Sequence, residues 1–271
     1  MPNTSAIVFG PHWLRDSTVI SFLKIPIYFV NAFAGLKLIN KSLFAPALTL
    51  TLFFAILAPE NPQNLSTKTI YLIRHGQTNY NLQNIVQGSG VDTDLNERGQ
   101  AQAQAFFRAY GHIPFDKVYV SGLRRTHQSV QAFLDKGLPY EALPGLNEIS
   151  WGNKEGQKVT PDEDEYYHYM LKQWQLGDTS LKIEGGESPN DVVARMAPAM
   201  EHILRQTDEK TILICMHGRA IRILMCHLLR YPLRSMDMFE HENLCLYLLH
   251  HTGSMFTVER YNDRDHLRAL S

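Results

Sequence analysis

The chain has 271 residues, 44% of them hydrophobic and 20% charged, the balance of an ordinary globular protein with a sizeable core and room for one large domain plus an appendage. Its 26 Lys and Arg are matched by 27 Asp and Glu. No global field therefore favours nucleic acid or anionic lipid, and any anion must be held by locally placed cations. The three cysteines, Cys215, Cys226 and Cys245, are odd in number and lack CxxC spacing, which argues against a disulfide framework and a zinc site and for a reducing, cytoplasmic setting.

Residues 1–65 differ from the rest. Ser42 to Ala58 is 17 residues without a charge, rich in Leu, Phe and Ala and interrupted by Pro46. Val19 to Leu36 is also apolar but holds Lys24 and Pro26, and Pro59, Pro62 and the polar residues to Thr67 read as a linker. One reading is a membrane anchor, although the second stretch falls short of the roughly 20 residues of a span. A cleaved signal peptide fits less well, because the stretch starts far from Met1 and Pro59 follows the one small-residue site. The third reading is translated upstream sequence, with the natural start near Leu65 at a non-standard codon, since no Met lies between Met1 and Met170. If Ser42 to Ala58 does span, Arg15, Lys24, Lys37 and Lys41 precede it, and the positive-inside tendency puts the rest of the chain outside the cytoplasm. Localisation is thus read as cytoplasmic, with anchoring through residues 1–65 as the alternative.

From residue 66 onward the pattern is that of a folded domain, 66–271. Ile70 to Ile73 is a short apolar run ending in Arg74-His75-Gly76, which suits a buried parallel strand delivering these residues to the carboxyl edge of a sheet, where α/β proteins bind ligands. Glu97 to Tyr110 has helical spacing, Lys117 to Val120 is β-type, and Leu123 to Lys136 is again helical. Glu163 to Leu176 is an aromatic-rich helix on an insertion. Ser188-Pro189-Asn190-Asp191 carries the start signals of a helix running to Arg205. Thr211 to Met216 is a second buried strand, followed by His217-Gly218 and a helix to Leu229, and Leu244 to Leu249 and Met255 to Val258 close the series. Alternating strands and helices imply a three-layer α/β/α sandwich with a mostly parallel sheet. A lone His at a strand end is ordinarily a hydrogen-bonded cap. Two strands that both stop at His-Gly point instead to a site, provided they are parallel neighbours.

In these motifs the chain resembles the histidine phosphatase, or phosphoglycerate mutase-like, superfamily over about Lys68 to Tyr261. Leu72 to Asn81 is similar to its nucleophile motif, Ser121 to Ser129 to its S-x-L-x-R segment, and Leu146-Asn147-Glu148 with Gly152 and Glu155-Gly156 to its acid/base segment. Gly185-Gly186-Glu187-Ser188 and Met216-His217-Gly218 complete the order. The resemblance implies the phosphoglycerate mutase-like fold and assigns roles. His75 is the nucleophile, neutral beside Arg74 and Arg125, and those two arginines hold the phosphoryl oxygens. His217 donates a hydrogen bond to the phosphoryl group, and Glu148 is the general acid and base. Thr78 and Asn81 line the phosphate pocket, Gln87 and Gly88 flank its mouth, and Gly218 adjoins it. Arg124, unlike Arg125, is read as a solvated helix residue.

A phosphate–arginine pair at about 4 Å is worth roughly 4 kcal/mol per unit charge at an effective dielectric near 20, so two such pairs can replace a metal. No metal and no cofactor are expected, and the other histidines, among them 112, 127, 168, 227, 241, 250 and 251, lack ligand spacing. The implied function is a metal-independent phosphatase acting on a small-molecule phosphate ester, a monoester, through a phosphohistidine on His75. The Gln77-Thr78 pair resembles the compact phosphatases more than the mutases. The alternatives are mutase-type phosphoryl transfer and an inactive scaffold of the same fold, the latter weakened by the presence of every core His and Arg. Asp162 to Ile183 is expected to cover the pocket. Tyr166, Tyr167, Tyr169 and Trp174 there are available for stacking on a substrate, and for most of them packing is the expected role.

Overall fold

The computed structural model describes residues 66–158 and 161–270, with side chains from Glu165 onward in the second stretch. The apolar stretches of residues 1–65 lie outside the described residues. In chain order the elements are β1 (Lys68–Arg74), α1 (Asn79–Leu82), α2 (Glu97–Tyr110), β2 (Lys117–Val120), α3 (Arg124–Leu134), β3 (Tyr140–Ala142), α4 (Pro161–Leu176), α5 (Pro189–Arg205), β4 (Thr211–Met216), α6 (Gly218–Leu229), β5 (Leu246–His251) and β6 (Phe256–Asp263), with short 3-10 turns between them.

The six strands form one sheet in the order β3-β2-β4-β1-β5-β6. The first four are mutually parallel, and β5 and β6 add antiparallel at one edge. Neighbouring residues of β1 and β4 serve opposite faces, as the two-residue period of a strand requires. Ile70, Leu72, Ile212 and Ile214 join the core under α4, α5 and α6, whereas Ile73, Leu213 and Cys215 join the core with Phe106 of α2 and Val130 and Phe133 of α3. Burial on both faces explains why these strands read as continuous apolar runs. The result is the three-layer α/β/α sandwich with a mostly parallel sheet.

The start of α5 is built as its sequence indicates. The Ser188 hydroxyl accepts from the Asp191 amide, the Asp191 carboxylate accepts from the Ser188 amide, and Pro189 occupies the first turn. Two elements carry no sequence signal. β3 is a three-residue edge strand with mostly exposed side chains, and α1 is a single turn that exists through its Thr78–Asn81 capping box. β5 starts at Leu246 rather than Leu244, whose φ of +55° takes it out of the extended region, and β6 continues past Val258 to Asp263. No helix among the described residues is long and apolar enough to cross a membrane.

Candidate active site

β1 and β4 are parallel neighbours with Arg74 in register opposite Met216, so the two His-Gly turns leave the sheet side by side. The His75 amide donates to the Met216 carbonyl at 3.0 Å, and the two imidazole centroids are 5.2 Å apart. Both rings are buried. His75 Nδ1 lies 2.7 Å from the Gly76 carbonyl. A carbonyl can only accept, so Nδ1 carries the proton and Nε2 is left with its lone pair. Burial, then the positive charges of Arg125 and Arg74, hold the His75 pKa well below 6.5. The ring is therefore neutral across the physiological range, the state a nucleophilic role would require.

Arg125 stands in the first turn of α3, where Ser121 begins the loop that turns it inward. Its Nε donates to His217 Nδ1 at 3.2 Å, and its Nη1 and Nη2 donate to the carbonyls of Val91 (2.7 Å) and Gly88 (3.1 Å). Three of its five N–H groups are thus used to lock the guanidinium, and two remain for a ligand. Because His217 accepts at Nδ1, its proton is on Nε2 and goes to the Ser121 hydroxyl, 2.8 Å away. Both nitrogens of His217 have protein partners here. Donation to a phosphoryl group, the role expected from the sequence, requires Nε2 to exchange Ser121 for that ligand.

Arg74 is held differently. Its Nη1 meets His241 Nδ1 at 3.2 Å, and its Nε is buried without a hydrogen-bond partner among the described residues. A buried unpaired N–H is costly, and a ligand acceptor placed against it would relieve that cost. Burial first, then Arg74, Arg222 and Arg219, lowers the pKa of His241 to about 2, which keeps its Nδ1 a dedicated acceptor for Arg74.

Glu148 is buried, not a surface carboxylate. Its Oε1 accepts from the Ile149 and Ala220 amides, both at 2.9 Å, and its Oε2 accepts from the Arg219 amide at 3.1 Å. It is thereby fixed on the positive N-terminus of α6, which His217 begins. Its charge is felt by both Arg74 and Arg125. The backbone of this loop is held by Arg195 of α5, which donates to the carbonyls of Gly145, Asn147 and Glu148 and pairs with Glu187.

The remaining expected residues divide into two groups. Asn81 and Gln87 line a cavity of about 450 Å³ that also takes in Arg74. Thr78 is fully buried beneath it, capping α1 and donating to Gln87 Oε1 at 2.8 Å. Gly88 contributes its carbonyl to Arg125, and a side chain there would stand 2.6 Å from the Ile149 carbonyl. Gly218 lets His241 approach, since a Cβ would lie 2.7 Å from its Cε1. Arg124 is at the surface, paired with Asp92 and Asp94. Of the insertion aromatics, Tyr166 and Tyr167 line the cavity, Trp174 is buried in the core and Tyr169 is exposed away from it.

Sequence reading did not single out Asn243, His241 or Arg195. Asn243 Nδ2 donates to the His75 carbonyl at 3.0 Å and to Asn81 Oδ1 at 3.1 Å, tying the His75 turn to the cavity wall. Among the described residues, no three His, Cys, Asp or Glu side chains converge as metal ligands.

A neutral imidazole with a fixed tautomer, set between two guanidiniums at the carboxyl edge of a parallel sheet, has the build of an α/β protein that handles phosphoryl groups. Residues 70–264 match the family model of the histidine phosphatase superfamily (branch 1), and the chain belongs to that superfamily. It is 33% identical over 169 residues to the 2,3-bisphosphoglycerate-dependent phosphoglycerate mutase of Bartonella tribocorum, covering 58% of this chain and 80% of that one. Among solved structures it resembles a mycobacterial glucosyl-3-phosphoglycerate phosphatase in complex with VO3, at 25% identity and a TM-score of 0.66 over 73% of this chain and all of that one. It also resembles the alpha-ribazole phosphatase of Shigella flexneri, at 26% identity and a TM-score of 0.63 over 72% and 96% of the two chains.

Proposed function

We propose that this chain is a phosphatase that hydrolyses small-molecule phosphate monoesters through a phosphohistidine on His75, without a metal. The observation that carries this reading is the state of His75: neutral, with Nδ1–H spent on Gly76 and Nε2 free for attack. The ester's phosphoryl oxygens take the unpaired Nε–H of Arg74 and the two N–H groups of Arg125 that the protein leaves over. Nε2 attacks phosphorus as the P–O bond to the alcohol breaks, and the Glu148 carboxylate relays the acidic proton of the ester monoanion to the leaving oxygen. Water enters next, Glu148 takes its proton and hands it to the departing phosphate, the P–N bond breaks, and His75 and the carboxylate are restored. Charge building on the phosphoryl group is met by guanidiniums already in place, so little reorganisation is needed at the moment of transfer.

A mutase is the second reading, favoured by the name of the Bartonella relative. It differs in returning the phosphoryl group to a reoriented product instead of to water. The test is a panel of phosphate monoesters with and without chelator. Phosphate release unaffected by chelator supports the hydrolase. Interconversion of 2- and 3-phosphoglycerate without net phosphate release overturns it in favour of the mutase.

A further inference from the structure

Resting on the phosphatase reading, we infer that the alcohol released from this site is uncharged and carries a flat ring, as in an aryl or nucleoside-like phosphate, and is not a second anion such as a phosphoglycerate. The cavity above Arg74 is walled from two separate segments, Tyr80 of α1 and Trp151, Tyr166 and Tyr167 from the insertion side. Two of these rings, Trp151 and Tyr167, are braced. Trp151 meets the edge of Tyr167 at 5.6 Å and stacks on Trp174 at 6.1 Å, and the Tyr167 hydroxyl is 3.3 Å from Arg219 Nη2. Aromatic walls held in this way offer a flat ligand stacking and edge contacts without ordering cost at the time of binding.

The charge of the lining points the same way. Among the described residues its cations are Arg74, which the phosphoryl group uses, and Lys154, which already interacts within the protein. The other polar members are carboxamides and tyrosine hydroxyls, suited to neutral hydroxyl, amide or ring-nitrogen groups. A second phosphate or carboxylate brought into this cavity loses its water and, among the described lining residues, meets no guanidinium besides Arg74, which disfavours it. The volume, about 450 Å³, sits in the range of pockets that enclose small ring-bearing ligands.

The test separates binding from turnover by using the His75→Ala protein. Affinities for 1-naphthyl phosphate, adenosine 5′-monophosphate and 3-phosphoglycerate are read from quenching of the cavity's Trp and Tyr fluorescence or by calorimetry. The ring-bearing esters are expected to bind at least tenfold more tightly than 3-phosphoglycerate. Tyr166→Ser, at a partly exposed position that does not support the core, is expected to shrink that ratio several-fold. Equal or tighter binding of 3-phosphoglycerate overturns the inference, as does a ratio that Tyr166→Ser leaves unchanged. Absence of phosphate release by the wild-type protein, with ring-ester binding intact, overturns the phosphatase reading and leaves the ligand class standing.

Discussion

Arg195 is the residue through which the position of Glu148 can be tested. All of its N–H groups are used: Nε and Nη2 on the Glu187 carboxylate at 2.7 and 2.9 Å, Nη1 on the carbonyls of Gly145 and Asn147 at 2.9 and 3.0 Å, and Nη2 on the Glu148 carbonyl at 2.9 Å. Arg195→Leu removes the donor from three carbonyls of one loop and leaves Glu187 half-buried without its partner. Breaking a fully buried pair costs about 3–5 kcal/mol. Both side chains here are 24% exposed, so about 2–4 kcal/mol is the fitting range once solvent screening is allowed for. At about 2–4 °C per kcal/mol for a domain of this size, the thermal midpoint should fall by roughly 5–15 °C. A shift of about 1 Å in a catalytic group can cost on the order of 100-fold in rate, so kcat should fall about 10- to 100-fold, with KM nearly constant because Arg74 is untouched. Arg195→Lys keeps the charge but not the fork, and it should lie between the two in both readouts. The assays are thermal denaturation and steady-state phosphate release at saturating ester. A kcat within twofold of wild type, in a variant destabilised as expected, would refute the claim that Arg195 sets the position of Glu148.

Three further outcomes follow from the site. His75 and His217 are held well below 6.5 and His241 at about 2, in each case by burial first and neighbouring arginines second. Below pH 6.5 the unfolded chain therefore binds more protons than the folded one, and stability is lost as pH falls from 7 to 5, by up to about 1.4 kcal/mol per pH unit for each group. Urea midpoints that rise on acidification would contradict this. Gly99→Ala places a Cβ 2.1 Å from the Gln77 carbonyl, pushing α2 off the turn that follows His75. The expected cost is about 1–3 kcal/mol, and an unchanged midpoint in differential scanning calorimetry would show that the turn yields freely. Asn243→Leu removes two hydrogen bonds, each worth about 1 kcal/mol, and should lower kcat about tenfold; wild-type kinetics would show that Asn243 does not hold His75.

The parts of this fold that are legible in the sequence are those whose burial is uniform along the chain. β1 and β4 are covered on both faces and read as apolar runs, and the start of α5 is written in four consecutive residues. β3 escapes because an exposed edge strand of three residues has no pattern to show, and α1 because one capped turn has no period. The site divides likewise. His75 and His217 announce themselves by the same His-Gly ending on two strands. Arg125 and Glu148 are recognisable through their motifs, but the motif does not disclose how they are held. Glu148 is fixed by amides of α6, 71 and 72 residues away, and Arg125 by carbonyls of a loop with no regular structure. His241 and Asn243 follow a 3-10 turn and precede β5, where neither periodicity nor composition marks them. Their roles exist only once the antiparallel edge of the sheet brings that loop against Arg74 and His75.

The central claim is a covalent bond between His75 and phosphorus, and a trapping experiment addresses it directly. Wild-type and His75→Ala proteins are mixed with 32P-labelled 1-naphthyl phosphate, quenched in alkali within the first turnovers and digested for mapping. The expected result is an acid-labile, alkali-stable label on the peptide containing His75, absent from the His75→Ala protein together with phosphate release. Phosphate release that survives His75→Ala, or a label mapped to another residue, would contradict it.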